Sequence, residues 1–256
     1  MAVAGGIKLV VQADDLGMCR AVNEGIEHAI VDGIVTQTSV MAPAPWFVEG
    51  ADMARRTGVV TGLHATFTCE WDAMRWAPLS VGSSLRLDDG TMPRTVEDAT
   101  ARIDPADGLA ELRCQARRAQ ACGLDPAYVD PHMGISVTSA YAGLCADLGV
   151  RFIYPGVDPH HAFDSVYVLS MASAKDLSAR TERFVRWLDQ LDDGVHFVLS
   201  HPGIAGEELR ALCPPDSPNA VWAETWRVAD LAALTAPEVR ATIDRRRIEL
   251  TSVAAR

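Results

Sequence analysis

The sequence predicts an α/β protein, a (β/α) barrel of TIM-barrel type forming a single domain over residues 1–256. Three observations carry this. Short apolar runs rich in β-branched residues recur along the chain, stretches with helical spacing of apolar residues separate them, and no internal repeat or linker divides the 256 residues. Strands alternating with helices imply βαβ units and a parallel sheet, and a single barrel reaches this length.

The elements follow in order. IKLVVQA is a buried parallel strand by composition. AVNEGIEHAIVDG places Val22, Ile26, Ala29 and Ile30 on one helical face, and Gly33 suits its end. IVTQTSV (34–40) is a second strand, FVEGADMARRTG a second helix and VVTGLHA a third strand. From Thr68 to about Pro105 runs an irregular segment holding Trp71 and Trp76, read as an elaborated loop. GLAELRCQARRAQACG sets Leu109, Leu112, Ala116 and Ala119 on one helical face. AYVD, RFIY, HFVLSH and RIELTSV supply further strands, with helical patterns such as SARTERFVRWLDQL between them.

Composition narrows the function. The chain carries 23 Lys and Arg against 34 Asp and Glu, a net charge of −11, which argues against nucleic acid or an anionic membrane as partner. Six scattered cysteines without a CxxC pair read as reduced thiols, and with no basic leader ahead of the first strand a cytoplasmic location is expected. No apolar stretch is long enough to span a bilayer. GxGxxG after the first strand and GxxxxGK[ST] anywhere are both absent.

Chemistry gathers at the strand ends. VVQADDLG places Asp14 and Asp15 side by side where the first strand stops, His64 ends the third, His132 follows AYVD, and His201 follows HFVLS. In a βα barrel these ends open on one face, so distant segments aim carboxylates and imidazoles into one mouth. One Asp oxygen and two His nitrogens form a three-ligand set for a divalent ion. His28 is expected to be solvated and His196 structural, while the His160–His161 pair is either a substrate contact or a surface pair. Asp130 is either an acceptor that orients an imidazole or a turn residue before Pro131.

With these residues in place, the sequence resembles the YdjC-like (ChbG) carbohydrate deacetylases, relatives of the polysaccharide deacetylases. The matching stretches are ADDLGMCRAVNEGIEHAIVDGIVTQTSVM, GLHATFTCEWDAMRWAPLS, YVDPHMG, SHPG and WRVADLAAL. The resemblance implies a barrel with typically seven strands and hydrolytic removal of acetyl from an N-acetylated amino sugar or oligosaccharide. It implies Asp15, His64 and His132 as ligands of one divalent ion, Zn²⁺ or Mg²⁺, with Asp14 as general base and His201 as acid or oxyanion partner. Gln12 stands where Asn is common, HATFTCEW replaces HLNLT, and Gly134 takes the place of a second histidine in DxHxH. Adjacent Asp side chains on an extended backbone point different ways, so one can ligate while its neighbour acts as base. Trp71 and Trp76 are candidate sugar-stacking residues. A metal-dependent isomerase or phosphoesterase, or a catalytically silent sugar-binding homologue, are the competing readings, and homo-oligomerisation is left open.

Overall fold

A computed structural model gives the fold and describes residues 6–135, 137–154, 163–171 and 176–255. The first strand, β1 (Ile7–Leu16), is followed by α1 (Arg20–Val31), β2 (Gln37–Val40), α2 (Phe47–Thr57) and β3 (Val60–Ala65). Helices α3 (Val96–Arg102) and α4 (Pro105–Ala121) precede β4 (Tyr128–Pro131), α5 (Thr138–Leu148) and β5 (Arg151–Phe152). The chain continues through β6 (Ser165–Val168), α6 (Arg180–Asp189), β7 (Gly194–Ser200) and α7 (Glu207–Arg210). It ends with α8 (Trp226–Leu234), α9 (Pro237–Arg246) and β8 (Glu249–Thr251). Strand β6 was not anticipated from the sequence: its SVYV is half-buried and lacks a long apolar run. The segment read as one long loop contains α3, capped by the Thr95 side chain.

Seven strands run in the order β5-β4-β3-β2-β1-β7-β6, every pair parallel, and the short β8 pairs with the start of β1. The sheet curls as a barrel does. Strands lie ~4.8 Å apart, so β1 and β4 would stand roughly 14 Å apart in a flat sheet. Instead Gln12 of β1 donates to Asp130 of β4 at 2.9 Å, and the Tyr128 hydroxyl donates to the Thr38 carbonyl of β2 at 2.8 Å.

Alternation sorts side chains between the two faces. Leu9, Val11 and Ala13 of β1 join the main core under the helices, whereas Val10 packs inside the curl with Tyr128, Ile153, Phe197 and Val253. Gly62 makes room for this filling, because a Cβ there would meet the Tyr128 ring at 2.3 Å. Above the interior cluster the same inward parity brings up Gln12, Asp14, His64 and Asp130, the polar end of the barrel.

A second close approach fixes the loop after β7. A Cβ on Gly25 in α1 would lie 2.5 Å from the Gly203 Cα, and Ile204 N donates to Ala21 O at 3.0 Å. The glycine of SHPG therefore lets the His201 loop ride directly on α1. The first turn of α1 draws its acceptor from another helix: Glu208 of α7 receives Ala21 N at 2.7 Å.

Replacing a mid-helix glycine by alanine ordinarily stabilises by about 0.5–1 kcal/mol. For Gly25→Ala we expect the opposite, a loss of about 1–3 kcal/mol from backbone overlap with Gly203. Thermal denaturation should show a fall of several degrees; an unchanged or higher midpoint would refute the close packing.

Candidate active site at the mouth of the barrel

The end of β1 is not extended. Its register against β2 shifts between Ala13 and Leu16, and Asp15 has φ of 73°. This corrects the expectation of two Asp residues alternating on a regular strand. By parity Asp15 would point outward to the helices with Ala13; the bulge and left-handed backbone turn it back into the mouth beside Asp14. A non-glycine residue pays about 1–2 kcal/mol for that conformation. Met133, next to His132, is a second such residue at φ 56°.

Asp15 Oδ1, His64 Nε2 and His132 Nδ1 converge. The separations are 3.5 Å from Asp15 to His64, 3.4 Å from Asp15 to His132 and 3.2 Å between the imidazole nitrogens. Donor atoms ~2.0–2.2 Å from a tetrahedral ion lie roughly 3.4 Å from one another, so the triangle has the size a small divalent cation needs. Asp15 Oδ1 is buried with no hydrogen-bond partner, a costly arrangement unless a cation faces it. Its other oxygen accepts Arg227 Nη2 at 2.7 Å.

Each imidazole is oriented through its far nitrogen. His64 Nδ1 donates to Asp130 Oδ2 at 2.9 Å, and His132 Nε2 donates to Glu70 Oε2 at 3.1 Å. When the rings are neutral, these bonds leave His64 Nε2 and His132 Nδ1 with lone pairs toward Asp15, the arrangement of histidine ligands backed by carboxylates. Of the two readings of Asp130, the imidazole acceptor is the one observed, and its partner is His64. Asp14, His64 and Asp130 form a second acidic group. Two of its oxygens are already engaged: Gln12 Nε2 donates to Asp14 Oδ1 at 2.6 Å and to Asp130 Oδ2, and the Ser39 hydroxyl lies 3.0 and 3.1 Å from the same two atoms, while Asp130 Oδ1 is buried with no partner. The Asp15 triad is the better cation site.

Asp14 keeps Oδ2 outside those bonds, 3.9 Å from His64 Nε2. Burial pushes its pKa up and Asp130 adds to this, while His64 and His201 pull it down; the net shift is upward. Burial also works against ionised Asp15, but the Arg227 guanidinium and the two imidazoles hold that carboxyl well below the usual range. Burial lowers the imidazoles, yet Asp130 and Asp14 raise His64 well above its ordinary value, and Glu70 and Asp15 raise His132 to about 9.

His201 lines the same cavity, of about 300 Å³, from the end of β7. Its Nδ1 lies 3.2 Å from Ser170 Oγ, and Ser170 hydrogen-bonds to Asp230. Asp230 also accepts the His201 backbone N–H at 2.9 Å and pairs with Arg180 at 2.6 Å. Because the serine proton goes to Asp230, His201 Nδ1 donates to Ser170 and Nε2 is left to the cavity. Burial lowers the His201 pKa, partly offset by Asp15 and Asp14.

The tryptophans divide. Trp71 is part of the cavity lining but only 1% exposed, and its ring backs Arg227 with the guanidinium carbon 5.7 Å from the centroid. Trp76 lies away from the cavity lining, buried under its loop with Nε1 donating to Thr68 O at 3.0 Å. Trp222 lines the cavity instead, half-buried and edge-on to His201, in a π-helical turn (Val221–Thr225). The glycine in YVDPHMG has a local cause. A Cβ at Gly134 would meet the Tyr154 hydroxyl at 2.2 Å, so Tyr154 fills the space a second histidine would need. His28 is exposed beside Asp32, and His196 is buried between Ser165 and Asp192, as the sequence suggested. His160 and His161 lie outside the described residues. Sequence reasoning missed Glu70, Ser39, Ser170, Arg227, Asp230 and Trp222. Arg227 and Asp230 stood in the WRVADLAAL stretch, three apart on one helix face, and that spacing was the available signal.

Two outcomes follow. Glu70→Ala and Asp130→Ala should each weaken divalent-ion affinity about 10–100-fold, and His64→Ala or His132→Ala should abolish it, as read by calorimetry. Unchanged affinity in the histidine variants would remove the triad as a cation site. In chelator-treated protein the raised His132 contributes stability fully below its unfolded value of 6.5, lost as pH rises through about 9. His64 acts in the same direction. The melting temperature of that form should therefore fall between pH 7 and pH 10, and a flat profile would contradict the paired imidazoles.

Comparison with known proteins gives the family of the chain. A carbohydrate deacetylase of Thermus thermophilus is 29% identical over 94% of this chain and 90% of its own length. A carbohydrate deacetylase of Geobacillus stearothermophilus is 27% identical over 94% of both. A crystal structure from Enterococcus faecalis V583, provisionally described as a cellobiose-phosphate cleavage protein, shares the fold with a TM-score of 0.79 at 21% identity, covering 96% of this chain and 97% of that one. A family model described as YdjC-like protein matches residues 8–245, and the chain belongs to the YdjC-like family.

Proposed function

We propose that the protein is a metal-dependent carbohydrate N-deacetylase that hydrolyses the amide C–N bond of an N-acetylated amino sugar. The single observation that carries this is the convergence of Asp15, His64 and His132 within 3.5 Å of one another, with Asp14 and His201 lining the same cavity. The names of the full-length relatives support the reaction class. Asp15, His64 and His132 would hold the ion, and two imidazoles in the set favour zinc over magnesium. When bound, the ion supplies Lewis acidity toward the acetyl carbonyl and an acidified water.

The chain's own groups supply the proton traffic. Asp14 Oδ1 is tied by Gln12 and Ser39, which fixes the carboxylate and leaves Oδ2 to take a proton from the attacking water. Its raised pKa brings it closer to the working pH, where a general base is most effective. The water oxygen bonds to the acetyl carbon as Asp14 removes that proton. The C–N bond then breaks while protonated His201 delivers a proton from Nε2 to the departing nitrogen, giving acetate and the free amine. A lowered imidazole pKa makes the protonated ring a stronger donor. Ser170 and Asp230 hold the ring so that Nε2 faces the cavity.

Acetate release from N-acetylglucosamine and its short oligomers tests the reading directly. Asp14→Asn should retain the ion yet lose about 10²–10⁴ in kcat, and near-normal turnover would exclude Asp14 as base. His201→Ala should lose a comparable factor on the amide but little on 4-nitrophenyl acetate, whose leaving group needs no proton. Equal losses on both substrates would rule out His201 as the donor.

A further inference from the structure

The hydrogen-bond donors around the cavity divide by what they already serve. Arg227 Nη2 donates to Asp15 and Nε to the Trp222 carbonyl, while its unpartnered Nη1 is buried. Asn219 Nδ2 donates to the Glu70 carbonyl at 3.1 Å, and the Ser170 proton goes to Asp230. His201 Nε2 serves the departing nitrogen, and Trp222 stands edge-on to that ring. The Tyr154 hydroxyl has no partner among the described residues, yet Tyr154 lines the same cavity as Asp15 and His132. Its place is built by the turn after β4. Met133 and Gly134 are both left-handed, at φ 56° and 68°, so the chain turns sharply just past His132. A Cβ at Gly134 would lie 2.2 Å from Tyr154 Oη, closer than the two atoms can approach. Glycine is therefore what lets the hydroxyl lie against the backbone two residues from a triad histidine.

We propose that Tyr154 is a catalytic residue whose hydroxyl, housed against Gly134, donates a hydrogen bond to the acetyl oxygen as that atom gains negative charge. This rests on the deacetylase reading. When the water oxygen bonds to the acetyl carbon, the π pair of the C=O bond moves onto the oxygen, and when the C–N bond breaks the pair returns. Tyr154 keeps its own proton throughout. The acetyl oxygen is drawn toward the Asp15, His64 and His132 triad, and Tyr154 brings an uncommitted donor to the His132 side of the cavity. A neutral hydroxyl adds no charge to a pocket that already holds four buried carboxylates. Its bond strengthens as the oxygen becomes anionic, so it acts on the barrier more than on substrate binding.

The test uses the intact metal-loaded protein and N-acetylglucosamine oligomers. Tyr154→Phe should lower kcat about 10- to 100-fold, the worth of a hydrogen bond to a charged acceptor, with KM moved by about twofold or less. Calorimetric affinity for the methylphosphonamidate of glucosamine, whose tetrahedral oxyanion copies the transition state, should fall by the same factor. Cation affinity and melting temperature should match those of the unsubstituted protein. Gly134→Ala, whose methyl displaces the hydroxyl, should also lower kcat. Full turnover in either variant, a raised KM with kcat retained, or weakened cation binding in Tyr154→Phe overturns the assignment and leaves the deacetylase reading standing. Absence of acetate release from the unsubstituted protein overturns both.

Discussion

Four carboxylates, Asp14, Asp15, Glu70 and Asp130, are buried at one end of the curled sheet, and the rest of the site is organised around their repulsion. Such a cluster costs several kcal/mol per group unless each charge meets a donor or a cation. The fold answers three times. Arg227 faces Asp15, the two imidazoles stand between the acids, and Gln12 with Ser39 donates into the Asp14–Asp130 pair. Two of the carboxylate oxygens, Asp15 Oδ1 and Asp130 Oδ1, are buried with no donor, and the first lies beside the two imidazole nitrogens. Of the two, only Asp15 Oδ1 has a pair of imidazole nitrogens within 3.5 Å, so a positive charge placed there would complete the arrangement.

The amide of Gln12 cannot turn over, and that rigidity comes from far away in the chain. Gln37 Nε2 donates to Gln12 Oε1 at 2.6 Å, while Gln37 Oε1 accepts the backbone N–H of Val253, just past β8. With its oxygen engaged, Gln12 must present Nε2 to the two carboxylates. The last strand of the chain thereby fixes the hydrogen bonding of the first. A shorter amide at position 12 would reach less far across the curl toward Asp130.

A similar division of labour holds on the His201 side. Arg180 of α6, Asp230 of α8 and Ser170 after β6 are all buried, and together they hold one ring against the cavity. Arg180 offsets much of the burial cost of Asp230, whose pKa nevertheless rises to about 6. The carboxylate acts through the serine and the backbone N–H, so it sets where the imidazole sits without touching what the cavity binds.

Local sequence determined the alternation of strands and helices, the parallel sheet, and the strand-end positions of Asp14, Asp15, His64, His132 and His201. Those are matters of period and adjacency, which a few residues express on their own. The structure alone decided which groups meet. Glu70 and His132 are 62 positions apart and His64 and Asp130 are 66 apart, and no local pattern pairs residues across such distances. It also decided that Asp15 turns inward through a left-handed residue in a bulge, that Trp76 packs beneath its loop, and that Trp222 takes the cavity wall. Periodicity assigns a residue to a face. The curl of the sheet and the close approaches at Gly25, Gly62 and Gly134, which exist only once distant segments pack, assign it a partner.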